Sequence, residues 1–250
     1  MKALRDTGTV FGREMQPTLK DPFAILIGMA QPLVFLALFG PLLSEMPGIE
    51  GGSPWQWFVA GNLVMLALFG TSMVGYSMLM EMHSGAHERL LVTPLNRAAM
   101  LVGRTMKDIV VLLTQGAIII LAVAPFGFHI YPLGTLAGLL LLAVFGIGLG
   151  ALSHGLAIIL KDREYAFWGV MQTALYPLLL LSGVLLPMEM APSWLETASR
   201  VNPITHIVEA ERARFAGDFA QQSVLLGAVA ALAVAAIGLA VGTRAMRHAA

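Results

Sequence analysis

The chain has 250 residues, 57% of them hydrophobic and 12% charged, about half the roughly 25% charge of a soluble domain. Long apolar runs at that charge density define an integral membrane protein. Zero net charge and the absence of cysteine argue against bulk attraction to nucleic acid and exclude disulfides and thiolate chemistry.

The leader places Phe11, Met15 and Leu19 at i, i+4 and i+8, with Arg13, Glu14, Lys20 and Asp21 off that stripe. This predicts a helix on the membrane surface within residues 1–22, shortened or bent at Pro17. The first apolar run starts near Phe23 and carries no small-x-small cleavage site, so it is read as a span and not a signal peptide. Six segments reach the roughly 20 residues that a crossing helix needs: about 23–43, 55–80, 105–126, 132–160, 166–186 and 222–243. The predicted fold is therefore all-α and polytopic, a single transmembrane domain over 1–250 with six spans. The fourth span is long enough to tilt or project. Small residues recur four apart at Gly134/Gly138, Gly146/Gly150, Ala151/Gly155 and Gly238/Gly242, a pattern that lets helices approach closely in lipid.

Orientation follows from the basic residues. Twelve of the fifteen fall on one face: Lys2, Arg5, Arg13, Lys20, Arg89, Arg97, Arg104, Lys107, Lys161, Arg163, Arg244 and Arg247. The other face holds Arg200, Arg212 and Arg214 among five acids. The basic face is expected to be cytoplasmic, with both termini on it.

Between the second and third spans lies a polar island, Glu81 to Arg104. Ser84 is placed to cap a short helix running to about Val92, and Pro94 ends it or opens the next. Leu90, Leu91 and Leu95 are apolar with no span to serve. Such leucines among charges suit a docking knob for a soluble partner. They suit equally an amphipathic loop on the headgroups.

The stretch 187–221 is long and semi-apolar. Pro203 after Asn202 suits a helix start and Gly217 a stop. Ile204, Val208 and Glu211 share one face, and Glu209 and Arg212 stand three apart. Two short helices lying in, or dipping into, the outer leaflet are expected, with an ordinary outer loop as the alternative.

G-A-H-E-R-L-L-V-T-P-L at 85–95 resembles the G-T-x-E-R-L-x-x-T-P motif of permease subunits of type-2 ABC exporters. N-P-I-T-H-I-V-E-A-E-R at 202–212 is similar to that family's N-P-L-T-x-x-V-E-A-x-R segment before the last span. The DrrB-like, daunorubicin-resistance subgroup is the nearest in pattern. The resemblance covers nearly the whole chain and implies six spans, an N-terminal surface helix (1–22), a cytoplasmic coupling segment (81–104) and an outer re-entrant segment (187–221). By the same resemblance, Glu88, Arg89, Leu90, Leu91, Thr93 and Pro94 form a coupling helix seated in an ATPase subunit. Asn202, Pro203, Glu209 and Arg212 form the outer motif. His87 departs from the usual residue before Glu-Arg, and His206 stands where an aromatic is common. The implied partners are two ABC ATPase subunits, a second permease copy or related chain, membrane lipids and a hydrophobic or amphiphilic substrate. The implied place is the bacterial inner membrane.

The four lysines, Lys2, Lys20, Lys107 and Lys161, each lack the preceding glycine of a P-loop. ATP and Mg are therefore expected on a separate ATPase subunit, with no cofactor, metal or catalytic residue in this chain. An intramembrane protease is the enzyme alternative. His87-Glu88-Arg89-Leu90-Leu91 misses the second imidazole of H-E-x-x-H at Leu91. His83 and His87 at i, i+4 make at best a weak metal pair. Ser182-Gly183 lacks the Gly-x-Ser-Gly bend. A carrier or channel without ATP would favour mid-span charge, which is sparse here, Asp108 lying near a span end. A non-transporting anchor for a complex is a further alternative.

A path for amphiphiles needs apolar walls with a few polar points. Spans two and five offer Asn62, Thr71 and Tyr76, and Met171, Gln172 and Tyr176. The family resemblance places these two spans at the path. The same groups also suit plain bonding between helices.

Overall fold

The computed structural model describes residues 2–44, 54–85, 97–185 and 187–248. The described residues are helical or in short turns, with no strand among them. The helices are α1 Lys2–Lys20, α2 Pro22–Gly28, α3 Ala30–Ser44, α4 Pro54–Ser72, α5 Val74–His83, α6 Arg97–Val123, α7 Pro132–Ile159, α8 Glu164–Leu180, α9 Ser193–Val201, α10 Pro203–Phe215 and α11 Gln222–His248. Short 3-10 turns fall at Ala124–Phe126 and Met188–Met190.

Four helical runs are long and apolar enough to cross a membrane: Pro54–His83, Ala99–Phe126, Pro132–Ile159 and Gln222–Arg247. They correspond to the second, third, fourth and sixth expected spans. The first and fifth differ from expectation. The first breaks at Met29 into α2 and α3. Pro32 explains the break: its ring crowds the carbonyl four residues back, at Gly28, and offers no N–H to it. The fifth, α8, has 17 residues, about 25 Å of helix, a little under the roughly 30 Å hydrocarbon core.

The centre of the bundle is α4. Its apolar residues run all round the helix, and every position from Phe58 to Leu68 is buried. A helix without a polar face must be enclosed by others, and α3, α6, α7, α8 and α10 enclose this one. The α4–α5 junction kinks at Met73. Ser153 of α7 causes it, accepting from Gly75 N at 2.9 Å while donating to the Ser72 carbonyl at 2.5 Å. A side chain inserted into the backbone ladder is a recognised origin of kinks.

The most extensive helix pair is α7 with α11. A Cβ on Gly238 would stand 2.0 Å from the Gly148 carbonyl oxygen, and one on Gly155 would stand 3.2 Å from Gly242 Cα. The small-residue spacing therefore serves backbone contact, as expected.

Helix α1 runs unbroken through Pro17, contrary to the expected shortening. Only three residues of helix follow that proline, so a single ladder bond is lost. It lies on α6 through buried Val10, and Gly103 provides the room, since a Cβ there would press on Thr7 O at 2.9 Å. Of the Phe11/Met15/Leu19 stripe, Leu19 is exposed and Phe11 and Met15 are half-buried. Ser84 closes α5, its hydroxyl donating back to Glu81 O at 3.0 Å; the short helix it was expected to open, to about Val92, lies outside the described residues.

Candidate functional site

Glu88, Arg89, Leu90, Leu91, Thr93 and Pro94 lie outside the described residues. What the structure describes is the frame that holds that segment. It leaves α5 just after His83 and Ser84 and returns at Arg97, the start of α6. Arg104 of α6 is 2% exposed. A buried guanidinium is tolerable only when paired, and this one reaches Glu81 of α5 at 2.5 Å and Glu14 of α1 at 3.4 Å. One cation thus ties both flanks of the island to the N-terminal helix.

A second tie runs from α5 to the start of α8. The Tyr76 hydroxyl donates to Glu164 Oε1 at 2.6 Å, and the His83 ring meets the Lys161 carbonyl at 2.7 Å and Glu164 at 4.0 Å. Tyr76 also packs against the Phe167 and Trp168 rings, centroids at 6.5 and 5.2 Å. Further along, Phe69 meets Tyr176 edge-on at 5.8 Å.

The six expected path residues divide into two groups. Asn62 is 1% exposed and donates through Nδ2 to the Pro32 carbonyl at 3.0 Å. Thr71 is 2% exposed and its hydroxyl turns back to Ala67 O at 2.6 Å. Within the chain both sit in helix packing. Tyr76, Met171, Gln172 and Tyr176 share the seam between α4–α5 and α8. Tyr176 is exposed, and Gln172 Oε1 is buried without a hydrogen-bond partner.

At the opposite end the outer motif closes on the C-terminus of α8. Asn202 caps α10, Oδ1 accepting from Ile204 N at 3.1 Å, and its Nδ2 donates to Leu178 O at 2.7 Å. Thr205 donates to Leu181 O at 3.0 Å. Arg212 donates to Gly183 O at 2.6 Å and lies 3.7 Å over the Trp57 ring of α4. The last carbonyls of a helix lack ladder partners, and the motif supplies two of them with side-chain donors, while Arg212 takes a third carbonyl in the turn beyond. Pro203 opens α10 at its first position, as expected. Glu209 stands 3.9 Å from the His206 ring, whose other nitrogen meets Arg200 O at 3.0 Å. Gly217 follows the helix at φ +81°, the left-handed stop its sequence position suggested.

Sequence reading missed three groups. Asp108 is buried between His154 Nε2 at 3.1 Å and Lys107 Nζ at 2.6 Å. Glu211 of α10 is fully buried, neither carboxylate oxygen has a hydrogen-bond partner, and burial pushes its carboxyl up to about 8 against the opposing pull of Arg214. Glu164 receives the tie from Tyr76. The signal for Asp108 was an acid beside an apolar span; Glu211, among Glu209, Arg212 and Arg214, carried no such signal. Glu164 carried none, because its partners lie more than eighty residues away. Among the described residues no three His, Asp or Glu side chains gather as a metal site. The Ser182 hydroxyl is engaged locally, donating to Leu179 O at 2.6 Å.

Long apolar helices joined by polar ties at their ends, around a surface-facing seam, define a polytopic membrane permease. The model of the ABC-2 type transporter family matches residues 5–216, and the chain belongs to that family. It is similar to the daunorubicin resistance ABC transporter permease protein DrrB1 of Streptomyces coeruleorubidus, 25% identical over 84% of this chain and 75% of that protein. It is 30% identical to the putative transport permease ycf38 of Cyanophora paradoxa, over 76% of this chain and 67% of that one. It is 31% identical to the probable multidrug ABC transporter permease YbhR of Escherichia coli strain K12, over 62% of this chain and 42% of that protein, so it spans under half of YbhR.

Proposed function

We propose that this chain is the membrane half of an ATP-driven exporter for a hydrophobic or amphiphilic molecule. Two copies, or this chain and a relative, pair in the bacterial cytoplasmic membrane with two separate ATPase subunits. The first apolar run and α8 complete six crossings, and the His83/Arg97 end with both termini faces the cytoplasm. Residues 85–95 seat in the ATPase through Leu90 and Leu91, with Glu88, Arg89, Thr93 and Pro94 shaping the segment. The exposed stripe of α1 rests on lipid, and α9–α10 lie in the outer leaflet. The seam of Tyr76, Met171, Gln172 and Tyr176 lines the path, with Asn62 and Thr71 setting the helices behind it.

The observation that carries this reading is continuity. Helices α4 and α5 run as one 30-residue apolar element, kinked at Met73, from Trp57 beside the outer motif to His83 at the start of the island. Both ends of α8 are pinned to that element or to the motif above it. A push on the island would be passed to the Tyr76 seam by α5 and to the outer helices across the kink at Met73. The test is Leu91→Asp in the chain assembled with its ATPase. A charge forced into an apolar contact is worth on the order of several kcal/mol, so transport and substrate-stimulated ATP hydrolysis should fall together while membrane insertion holds. Unchanged transport would remove the island from the coupling role.

A further inference from the structure

Helix α1 carries three stripes at helical spacing, each lining one side of the helix. Asp6, Val10 and Glu14 recur every four residues and turn inward. Asp6 and Val10 are buried, and the Glu14 side chain is 15% exposed. This stripe packs on α6, through Val10 at Gly103 and Glu14 at Arg104. Leu4, Phe11, Met15 and Leu19 form a second stripe, in which Leu4 is 80% and Leu19 72% exposed. Arg5, Thr9, Arg13, Gln16 and Lys20 form the third, at i, i+4, i+8, i+11 and i+15, and all five are exposed.

The charges of α1 are thereby sorted by sign. Both acids lie on the inward stripe, and the exposed bases share the outward one. Among the described residues Arg5, Arg13 and Lys20 make no ion pair. The exposed acid nearest in sequence, Asp21, falls past the end of the helix. A cationic strip with no acid on it attracts an anionic surface. The leucines beside it decide which kind. An acidic protein surface would leave Leu4 and Leu19 against water, whereas a lipid leaflet takes the bases at its headgroups and the leucines at its acyl boundary. Helix α2, next in the chain, continues the apolar surface with exposed Phe23, Leu26 and Ile27.

We propose that the outward face of α1 binds anionic lipid, with Arg5, Arg13 and Lys20 at the phosphates of acidic phospholipids and Leu4 and Leu19 among the acyl chains. The inference rests on the reading of α1 as a helix on lipid and adds the class of lipid. Glu14 is held by Arg104 and Arg104 by Glu81, so the lipid-bound helix is anchored to the flank of the polar island.

The test uses the purified full chain with Gly12→Cys as its single cysteine, labelled with an environment-sensitive fluorophore. A Cβ at Gly12 meets nothing within 4 Å, and its helical position falls between the two exposed stripes. The labelled chain is placed in nanodiscs of phosphatidylcholine alone or of phosphatidylcholine and phosphatidylglycerol in equal parts, with brominated lipid as the quencher. Quenching should be greater in the mixed discs and should fall toward the phosphatidylcholine value at about 1 M salt, where the Debye length is about 3 Å. Each base near an anionic surface favours association about fivefold, so removing three shifts the partition about a hundredfold. Arg5→Gln/Arg13→Gln/Lys20→Gln should therefore lose the dependence on phosphatidylglycerol, and glutamine at exposed helix positions keeps the fold. Arg5→Lys/Arg13→Lys should retain it. A triple variant that keeps the dependence overturns the proposal. Equal quenching in both lipids overturns the anionic choice and leaves α1 on lipid. A label that stays aqueous in both overturns the lipid reading as well. A label that leaves water only when the ATPase subunit is added assigns the face to that protein instead.

Discussion

Arg212 joins three elements, and its contribution divides into two measurable parts. Its Nη2 donates to Gly183 O in the turn after α8, and its guanidinium lies over Trp57 in α4. A hydrogen bond from a charged donor contributes about 1.5–3 kcal/mol. A cation over an indole face contributes about 0.5–2 kcal/mol, more as water is excluded, and both partners here are half-buried. Arg212→Ala should therefore lower stability by about 2–5 kcal/mol in mixed-micelle denaturant titrations. Arg212→Lys should fall between the two, because a lysine keeps the charge over the ring but loses the planar fork that serves both partners at once. Trp57→Leu isolates the ring. In the double-mutant cycle Arg212→Ala/Trp57→Leu, the coupling energy should be about 0.5–2 kcal/mol. A double variant that loses the sum of the two singles, to within about 0.3 kcal/mol, would show that the stacking seen between α10 and α4 carries no energy. The outer motif would then be tied through carbonyls alone.

Glu211 has a folded pKa raised from 4.5 to about 8, so between those values the folded chain holds a proton that the unfolded chain releases. Stability should fall on the order of a few kcal/mol as pH rises through that window, and Glu211→Gln should flatten the slope. An unchanged slope between pH 5 and pH 8 in the variant would place the titration elsewhere. Asn62→Leu should lower stability by about 0.6 kcal/mol, the average for a hydrogen bond between membrane helices, without altering substrate preference, whereas Gln172→Leu should alter preference and leave stability. The opposite pairing, seen on the same purified variants, would refute the division of the path residues. In this cysteine-free chain, His87→Cys should resist an impermeant thiol reagent in intact cells and Ser193→Cys should react. Labelling at position 87 from outside would invert the proposed orientation.

What the sequence made legible were features that act over one helix. Apolar length located α4–α5, α6, α7 and α11, and Asn202-Pro203 and Gly217 bounded α10, because caps and stops are decided within a turn of the backbone. The break at Met29 was written in Pro32, yet an apolar run that length is read as one span unless the proline is weighed against the carbonyl it displaces. The ties were not legible. Asp108 finds His154, Tyr76 finds Glu164 and Trp57 finds Arg212 across separations of 46, 88 and 155 residues, and no local pattern links such pairs.

These long-range ties have a common physical origin. Lipid is as apolar as leucine, so burial does not draw one membrane helix to another; packing and polar contacts do. The pair α7–α11 is held by packing, with glycines bringing backbone onto backbone. Helix α8 has no such glycine stripe: its one glycine, Gly169, meets nothing within 4 Å where a Cβ would begin, and Trp168, Val170, Tyr176 and Leu180 are exposed along it. Polar ties hold its two ends, at Glu164 and at the carbonyls of Leu178 and Leu181. Between those points Phe167, Leu175 and Leu179 are buried against the rest of the bundle. The motif residues 202–212 lie at one of those points, and the helix that carries Tyr76 and His83 to the other leads directly into the polar island. Motif residues 202–212 thus hold the C-terminal end of α8, while Tyr76 and His83 of α5 hold its start.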